Sequence, residues 1–363
     1  MKKSEPAPAA RARLAAVRKQ VRPLPADGLL VTNLVSVRWL SGFTGSEAAL
    51  LIAARGQLIL VDSRYTTQAS EQARGFKVVL ITKKPADFAG LARALEIKRL
   101  AFEPEGMTHA RFLETRKVMK GIKLVPAGSG IARLRAVKNA DEVRLISRAA
   151  GIARRAFNDV TPRIRPGMKE STLSLILETR MRELGGGQAP FPAIVASGPR
   201  GALPHGVASE KKMKKGELVT VDFGAVYQGY QSDQTITFCL GRPNKKQREI
   251  YGAVREAHDL AIAAVRPGAK CKAVDAVARD AIKERGFGEY FGHGLGHGVG
   301  LETHEEPMLS PRSQSALAAG MVVTIEPGIY IPGFGGVRIE DMVLVTRKGC
   351  RLLTASGGPL RTI

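Results

Sequence analysis

Residues 216–224, GELVTVDFG, return in altered form as residues 320–328, GMVVTIEPG. Each is a short apolar run that ends in a carboxylate, Asp222 in the first and Glu326 in the second, just before a glycine turn. The echo has a companion upstream. Arg165-Pro-Gly-Met-Lys169 opens a helical pattern that runs to Gly185-Gly186-Gly187, and Arg266-Pro-Gly-Ala-Lys270 opens another that runs to Gly286. The two pairs of segments occur in the same order at offsets of 101 and 104 residues. Such agreement implies two structurally related halves, each ending a strand in an acid. A duplicated unit of this kind forms a site by bringing its strand-end acids together at a pseudo-twofold axis.

Further acids accompany these two. After Asp222 the turn 224–229 leads to Ser232-Asp233-Gln234-Thr235, so a hairpin sets Asp222 and Asp233 side by side. After Glu326 the loop 333–336 leads to GVRIEDMV, residues 336–343. Strand alternation there puts Arg338 and Glu340 on one face and Ile339 and Asp341 on the other. Within the second half, between its helical pattern and residues 320–328, lies FGHGLGHGVGLETHEEP, residues 291–307, which holds His293, His297 and His304, half of the six histidines. Its alternating glycines leave no side chains to pack, so backbone in this stretch is expected to approach something closely, such as a metal or a substrate. Four carboxylates buried in apolar runs repel one another and shift their pKa values unless cations neutralise them. Two divalent ions meet that need. An oxygen-rich set with a single imidazole suits Mn²⁺ or Co²⁺, with Fe²⁺ and Zn²⁺ as alternatives. A pair of such ions can share a hydroxide and polarise a carbonyl, as in two-metal hydrolysis.

The rest of the chain sets bounds. At 363 residues it is long enough for two domains. Residues 8–22 read as a short basic helix, and DGLLVTN begins a β-rich stretch. The apolar runs 48–54 and 57–63, parted by Arg55-Gly56, read as a hairpin. A helix to about Arg74, a strand at 77–81, a helix near 87–95 and a strand at 99–103 follow, and this alternation makes an α/β unit ending in the loop 126–130. From Asn139 the pattern becomes a long amphipathic helix with Asp141 and Glu142 in its first turn. The domains are therefore placed at 1–134 and 135–363. Trp39 reads as packing, and His258, outside every motif, as structural or exposed.

No run of eighteen apolar residues exists, so no membrane span is expected. The basic start has no apolar segment behind it, and the expected location is the cytoplasm. Cys239, Cys271 and Cys350 are odd in number and lack any CxxC spacing, which excludes a disulfide framework and a thiolate metal site. The net charge of +23 raises the question of a nucleic-acid partner. Lysine and arginine are nevertheless spread from end to end, with only short clusters such as Lys211-Lys212 and Lys214-Lys215, and few aromatics are present for stacking. The chain reads as generally basic, without nucleic acid as a partner.

The set Asp222, Asp233, His297, Glu326 and Glu340, with spacings of 11, 64, 29 and 14 residues, resembles the five-ligand set of the pita-bread metallopeptidases. The surrounding VDFGAVYQGYQSDQT, HGLGHGVGLETHE, TIEPGIY and GVRIED resemble the aminopeptidase P and prolidase branch, the Xaa-Pro peptidases. The resemblance covers nearly the whole chain. It implies an α+β fold: a pita-bread catalytic domain with an internal pseudo-twofold repeat, preceded by a creatinase-type α/β domain that serves substrate access and oligomerisation. It further implies that Asp222 chelates one metal, Asp233 and Glu340 bridge both, and His297 and Glu326 bind the other. Glu326 would also handle the proton of the shared hydroxide as it attacks the carbonyl before a proline nitrogen. His304 would hold the developing oxyanion, His205 would be a second substrate-side histidine, and His293 would shape the proline pocket. Tyr330 and Arg338 sit where the family keeps outer-shell or substrate groups.

Within the branch, dipeptidases carry an arginine in a His-Glu-x-Pro-Arg sequence that pairs with the substrate's free carboxylate. Here the run is His304-Glu305-Glu306-Pro307-Met308. The missing cation, together with Asp62-Ser-Arg-Tyr65, points to an Xaa-Pro aminopeptidase on longer peptides, with an Xaa-Pro dipeptidase (prolidase) as the alternative. A homodimer is implied by the resemblance. Creatinase lacks the metal ligands and methionine aminopeptidase lacks a comparable N-terminal domain, so both are set aside. The reading from a different class is a catalytically silent basic module that binds nucleic acid or protein. An intact ligand set speaks against it.

Overall fold

A computed structural model describes residues 8–54 and 56–363; the first seven residues, with the basic start of the chain, and Arg55 of the hairpin signal lie outside the described residues. The chain forms two compact units, one ending at Arg135 and one from Ala136 to Ile363. Among the described residues no helix is long and apolar enough to cross a membrane.

In the first unit, runs of leucine, isoleucine and valine form β1 (Gly28–Val31), β2 (Ala49–Ala53), β3 (Gln57–Val61), β4 (Lys77–Leu80), β5 (Arg99–Phe102) and β6 (Lys123–Pro126). They make one mixed sheet in the order β4-β3-β2-β1-β5-β6. β2 pairs antiparallel with both β1 and β3, and the remaining neighbours are parallel. Helices α1 (Pro8–Val21), α2 (Leu34–Ser41), α3 (Thr66–Gln72), α4 (Ala86–Ala94), α5 (His109–Val118) and α6 (Gly130–Ala136) accompany the sheet. The stretch after DGLLVTN departs from its β-rich reading. The Asn33 side chain accepts from the amides of Val35 and Ser36, and Gly42, at φ +79°, closes the turn, so VSVRWLS becomes α2 with Trp39 buried in it.

The second unit contains helices α7 (Ala140–Val160), α8 (Glu170–Glu183), α9 (Lys245–Ala264) and α10 (Cys271–Glu284). Its strands are β7 (Ile194–Ser197), β8 (Leu218–Phe223), β9 (Val226–Tyr227), β10 (Tyr230–Gln231), β11 (Gln234–Cys239), β12 (Gly296–Gly298), β13 (Glu305–Leu309), β14 (Val322–Ile325), β15 (Gly328–Ile331), β16 (Gly335–Arg338), β17 (Asp341–Val345), β18 (Cys350–Leu352) and β19 (Arg361–Thr362). Two main sheets result, β19-β11-β8-β7 and β13-β12-β14-β17-β18.

The internal repeat is physical as well as textual. Asn139 caps α7 in a reciprocal capping box with Glu142, and Asn244 caps α9 in the same way with Gln247. Both Arg-Pro-Gly turns are pinned alike: Gly167 donates its amide to Met213 and Gly268 donates to Leu317. Each half then packs its helices on its own sheet. Phe157 of α7 stacks on Phe223 of β8 at 5.3 Å, amid Leu173, Val195 and Val221. Val254, Ala257, Val274 and Ile282 cover Val323, Ile325 and Val343 in the other half. Each such buried valine, leucine, isoleucine or phenylalanine contributes about 1.5–3 kcal/mol of transfer free energy. The halves join along β11. The Glu340 amide donates to Thr235 O at 3.1 Å, and Thr237 Oγ1 donates to Arg338 O at 2.8 Å.

Two of the alternating glycines of the histidine stretch, Gly296 and Gly298, are required by neighbouring backbone. β12 runs between β13 and β14, and the backbones nearly touch. A Cβ at Gly296 would lie 2.1 Å from Thr324 O, and one at Gly298 would lie 2.2 Å from Glu306 O. Only glycine permits that approach.

Candidate metal centre

Strand pairing delivers the acids. Asp222 on β8 stands opposite Thr235 on β11, so Asp233, just before β11, lies at the same end of the pair. Glu326 follows the end of β14 and donates its amide to Leu295 O at 2.9 Å. Glu340 accepts from Thr235 Oγ1 at 2.7 Å. His297 is fixed at both ends of its backbone and ring. Its amide donates to Thr324 Oγ1 at 3.0 Å, and its Nδ1 lies 3.0 Å from Gly298 O. A proton on Nδ1 donated to that carbonyl leaves Nε2 facing inward, the tautomer that suits a metal ligand. Nε2 is 3.3 Å from Glu326 Oε1 and 3.7 Å from Asp233 Oδ2. Donor atoms of Asp233, His297 and Glu340 that could hold a metal ion all lie within 4.8 Å of one another. These three residues, with Asp222 and Glu326, line one cavity of about 350 Å³.

The charge balance of this cavity calls for cations. Burial pushes the Asp222 carboxyl up despite the Arg338 guanidinium beside it. Burial and then the Asp222 charge push Asp233 well above the usual range, and burial and then the Asp233 charge do the same to Glu340. Burial works against a charged His297, yet the bond and charge of Glu326, with the charge of Asp233, lift it to about 9. Burial likewise opposes the Glu326 carboxylate, but the bond to His297 and the charges of His297, His293 and Arg338 bring it down to about 2. Asp222 Oδ1 is buried without a hydrogen-bond partner among the described residues. An orphaned carboxylate oxygen beside three more carboxylates and an inward-facing imidazole nitrogen fits a pair of divalent ions.

The other predicted residues divide by position. His205, His293, His304 and Arg338 also line the cavity. His205 is exposed on the loop 203–206, and the His304 ring lies 4.2 Å, centroid to centroid, from that of His297. Burial holds both His293 and His304 below the usual imidazole value. Tyr330 stands behind the wall, its hydroxyl 2.9 Å from His293 Nε2 and accepting from Arg338 Nη1 at 3.0 Å. Arg338 is committed on every side. It donates to Asp222 Oδ2 at 2.8 Å, Pro204 O at 3.1 Å and Thr235 Oγ1 at 3.0 Å. It therefore holds Asp222 and the His205 loop in place. His258 is buried with Nε2 at 3.2 Å from Asp341 Oδ2, on the strand face opposite Glu340.

Sequence reasoning missed Thr235 and Thr324, which orient Glu340 and His297. Both read as ordinary β-branched strand residues, and no local signal marks them. It also missed the apolar wall of Phe191, Pro192, Ile194 and Val207, which Met308 joins.

Residues 144–347 match the model of metallopeptidase family M24, and residues 13–137 match that of the creatinase/prolidase N-terminal domain. An Xaa-Pro dipeptidase of Pyrococcus horikoshii is 40% identical over 334 residues, covering 90% of this chain and 92% of its own length. Among solved structures, an Xaa-Pro dipeptidase from Bacillus anthracis has a TM-score of 0.95 at 41% identity, over 98% of this chain and 100% of that one. An X-Pro aminopeptidase from Thermotoga maritima MSB8 has a TM-score of 0.88 at 36% identity, over 96% of this chain and 99% of that one. With an α/β creatinase-type domain ahead of an α+β pita-bread unit, the chain belongs to metallopeptidase family M24.

Proposed function

We propose that this protein hydrolyses the Xaa-Pro bond at the N-terminus of proline-containing peptides, with the Xaa-Pro dipeptide as its principal substrate. The observation that carries the peptidase reading is the convergence of Asp222, Asp233, His297, Glu326 and Glu340, from both halves of the repeat, on one cavity. The likeness to proteins named Xaa-Pro dipeptidase favours the dipeptide, and it reverses the order drawn from Met308 and Asp62-Ser-Arg-Tyr65. The aminopeptidase reading keeps one structural support. Met308 is an exposed part of the cavity lining, and the guanidinium that lines it, Arg338, is bound to Asp222.

The five residues would hold two divalent ions, Mn²⁺ first, with Co²⁺, Zn²⁺ or Fe²⁺ as alternatives. Such ions bring the pKa of water toward neutrality and polarise a carbonyl. Glu326 accepts the proton of the attacking water at a carboxylate oxygen and returns it to the departing proline nitrogen. His304 and His205 donate to the carbonyl oxygen as it gains charge. His293, oriented by the Tyr330 hydroxyl, walls the proline ring. Arg338 keeps one Asp222 oxygen occupied, which directs the other into the cavity. The role is turnover of proline peptides, whose tertiary amide and fixed φ exclude them from general peptidases. We place it in the cytoplasm as a homodimer.

The test is hydrolysis of Leu-Pro and of the same sequence extended by two residues, with Mn²⁺ and then with EDTA. Cleavage of Leu-Pro that EDTA abolishes supports the dipeptidase. Cleavage of the longer peptide alone transfers the assignment to the aminopeptidase. No cleavage of either, across several metals, refutes the peptidase reading and leaves the silent binding module.

A further inference from the structure

The loop 299–304, which carries His304, is held from two sides by residues that do not line the cavity. On one side stands Gln231 of β10. Its amide donates to Gly300 O at 2.8 Å, its Nε2 donates to Leu301 O at 3.0 Å, and its Oε1 accepts from Thr303 Oγ1 at 2.6 Å. On the other side is Glu305, buried at the start of β13. Its Oε1 accepts from the amides of Leu301 at 3.0 Å and Glu302 at 3.2 Å. Its Oε2 accepts from Lys138 Nζ at 3.1 Å, and the two side chains are 1% and 4% exposed. Lys138 is itself anchored, since its amide donates to Gly320 O at 2.9 Å and the capping box of α7 begins at the next residue. Gly300 completes the arrangement, because a Cβ there would lie 2.5 Å from Glu305 Oε2.

A buried ion pair of this kind is a poor source of net stability, because desolvating both charges offsets their attraction. What an apolar pair of the same volume cannot do is accept two backbone amides in a fixed direction. The carboxylate serves that purpose, and Lys138 neutralises the charge it brings. We infer that Lys138, Glu305 and Gln231 are positioning residues for the Xaa-Pro reaction, clamping the loop so that the His304 imidazole stands where the substrate carbonyl gains charge. The inference rests on the reading of His304 as the group that faces that carbonyl.

The experiment compares Glu305→Ala, Glu305→Gln and Gln231→Ala, each alone and combined with His304→Ala, in the full chain loaded with Mn²⁺. The readouts are kcat and KM on Leu-Pro, bound metal, and hydrogen exchange of the peptide spanning 299–305. The expected result for Glu305→Ala and Gln231→Ala is a fall in kcat of about ten- to hundredfold with little change in KM, the effect of a misplaced group. Bound metal is unchanged and the Leu301 and Glu302 amides exchange faster in Glu305→Ala. Glu305→Gln, which keeps an acceptor for those amides, recovers part of the loss. Neither variant lowers kcat further once His304 is alanine, because the clamp acts through it. A full additional loss in that background, or unchanged exchange in Glu305→Ala, overturns the inference. Should Glu305→Ala fail to fold, Gln231→Ala carries the same comparison. An inactive wild-type enzyme refutes the peptidase reading instead, and it is recognised before any variant is measured.

Discussion

The glycines of the histidine stretch look interchangeable in sequence, and their surroundings say that they are not. Consider Gly296→Ala. The added methyl would sit 2.1 Å from Thr324 O and 2.8 Å from the carbon of that carbonyl, where ordinary contact begins at 3.4 Å. Neither atom belongs to a side chain that can swing away, so β12 must part from β14 by about 1 Å, an overpacking cost of about 1–3 kcal/mol. For a unit of this size that lowers the melting temperature by about 2–12 °C. The displacement falls on the residue preceding His297, whose imidazole faces Asp233 and Glu326. A shift of about 1 Å in a reacting group costs about a hundredfold in rate, and kcat/KM on Leu-Pro is expected to drop by that order. Gly292→Ala is the control, because a Cβ there meets nothing within 4 Å, and it should stay within about 0.5 kcal/mol of wild type. Calorimetry, metal content and Leu-Pro kinetics on the two variants decide the matter. If Gly296→Ala melts and turns over like Gly292→Ala, the backbone contact is not what selects glycine, and the explanation fails.

Removing the Arg338 guanidinium leaves the Asp222 carboxylate unpaired beside Asp233, so Arg338→Met should cost about 3–5 kcal/mol in denaturant titrations. Arg338→Lys should recover little of it, since an ammonium cannot serve Asp222, Tyr330 and Pro204 together. Met308→Arg places a cation at the cavity mouth and should raise kcat/KM for Leu-Pro over the extended peptide by about tenfold, the worth of one charge-assisted hydrogen bond; an unchanged ratio shows that the substrate carboxylate does not reach this position. Chelation by EDTA should abolish turnover and lower the melting temperature, because four carboxylates then share the cavity without their cations. Mn²⁺ should restore both in wild type but not in Asp233→Asn, and a melting curve indifferent to chelator would separate the acid cluster from any metal.

The acids that meet in the cavity were legible because duplication wrote them twice. Asp222 and Glu326 end matching strands, and Asp233 and Glu340 follow at the next turn in each half. Alternation put Arg338 and Glu340 on one face correctly, with Ile339 in the core and Asp341 turned to Thr354 and Ser356. What stayed hidden depends on partners distant in sequence. Thr235 and Glu340 are 105 residues apart, and Lys138 and Glu305 are 167 apart. No local pattern distinguishes a threonine that orients a carboxylate from one that merely suits a strand. The second capping box, Asn244 with Gln247, was readable in principle at the offset of the repeat but was obscured by the basic run around it. The glycines carried the signal of close approach, and at Gly296 and Gly298 what comes close is neighbouring backbone. In the first unit, alternating valines masked α2, and the Asn33 cap decided it.

The crossing at β11 has a consequence for how the second unit comes apart. Thr235 and Thr237 belong to one half of the repeat while Glu340 and Arg338 belong to the other, and Arg338 reaches back to Asp222 and Pro204. Neither half keeps its acids satisfied once the other has left. Duplication produced two similar pieces, yet their shared seam makes them one melting unit: native-state opening that exposes β8 must expose β17 as well, and a chain divided between the halves should regain structure only when both fragments are present together.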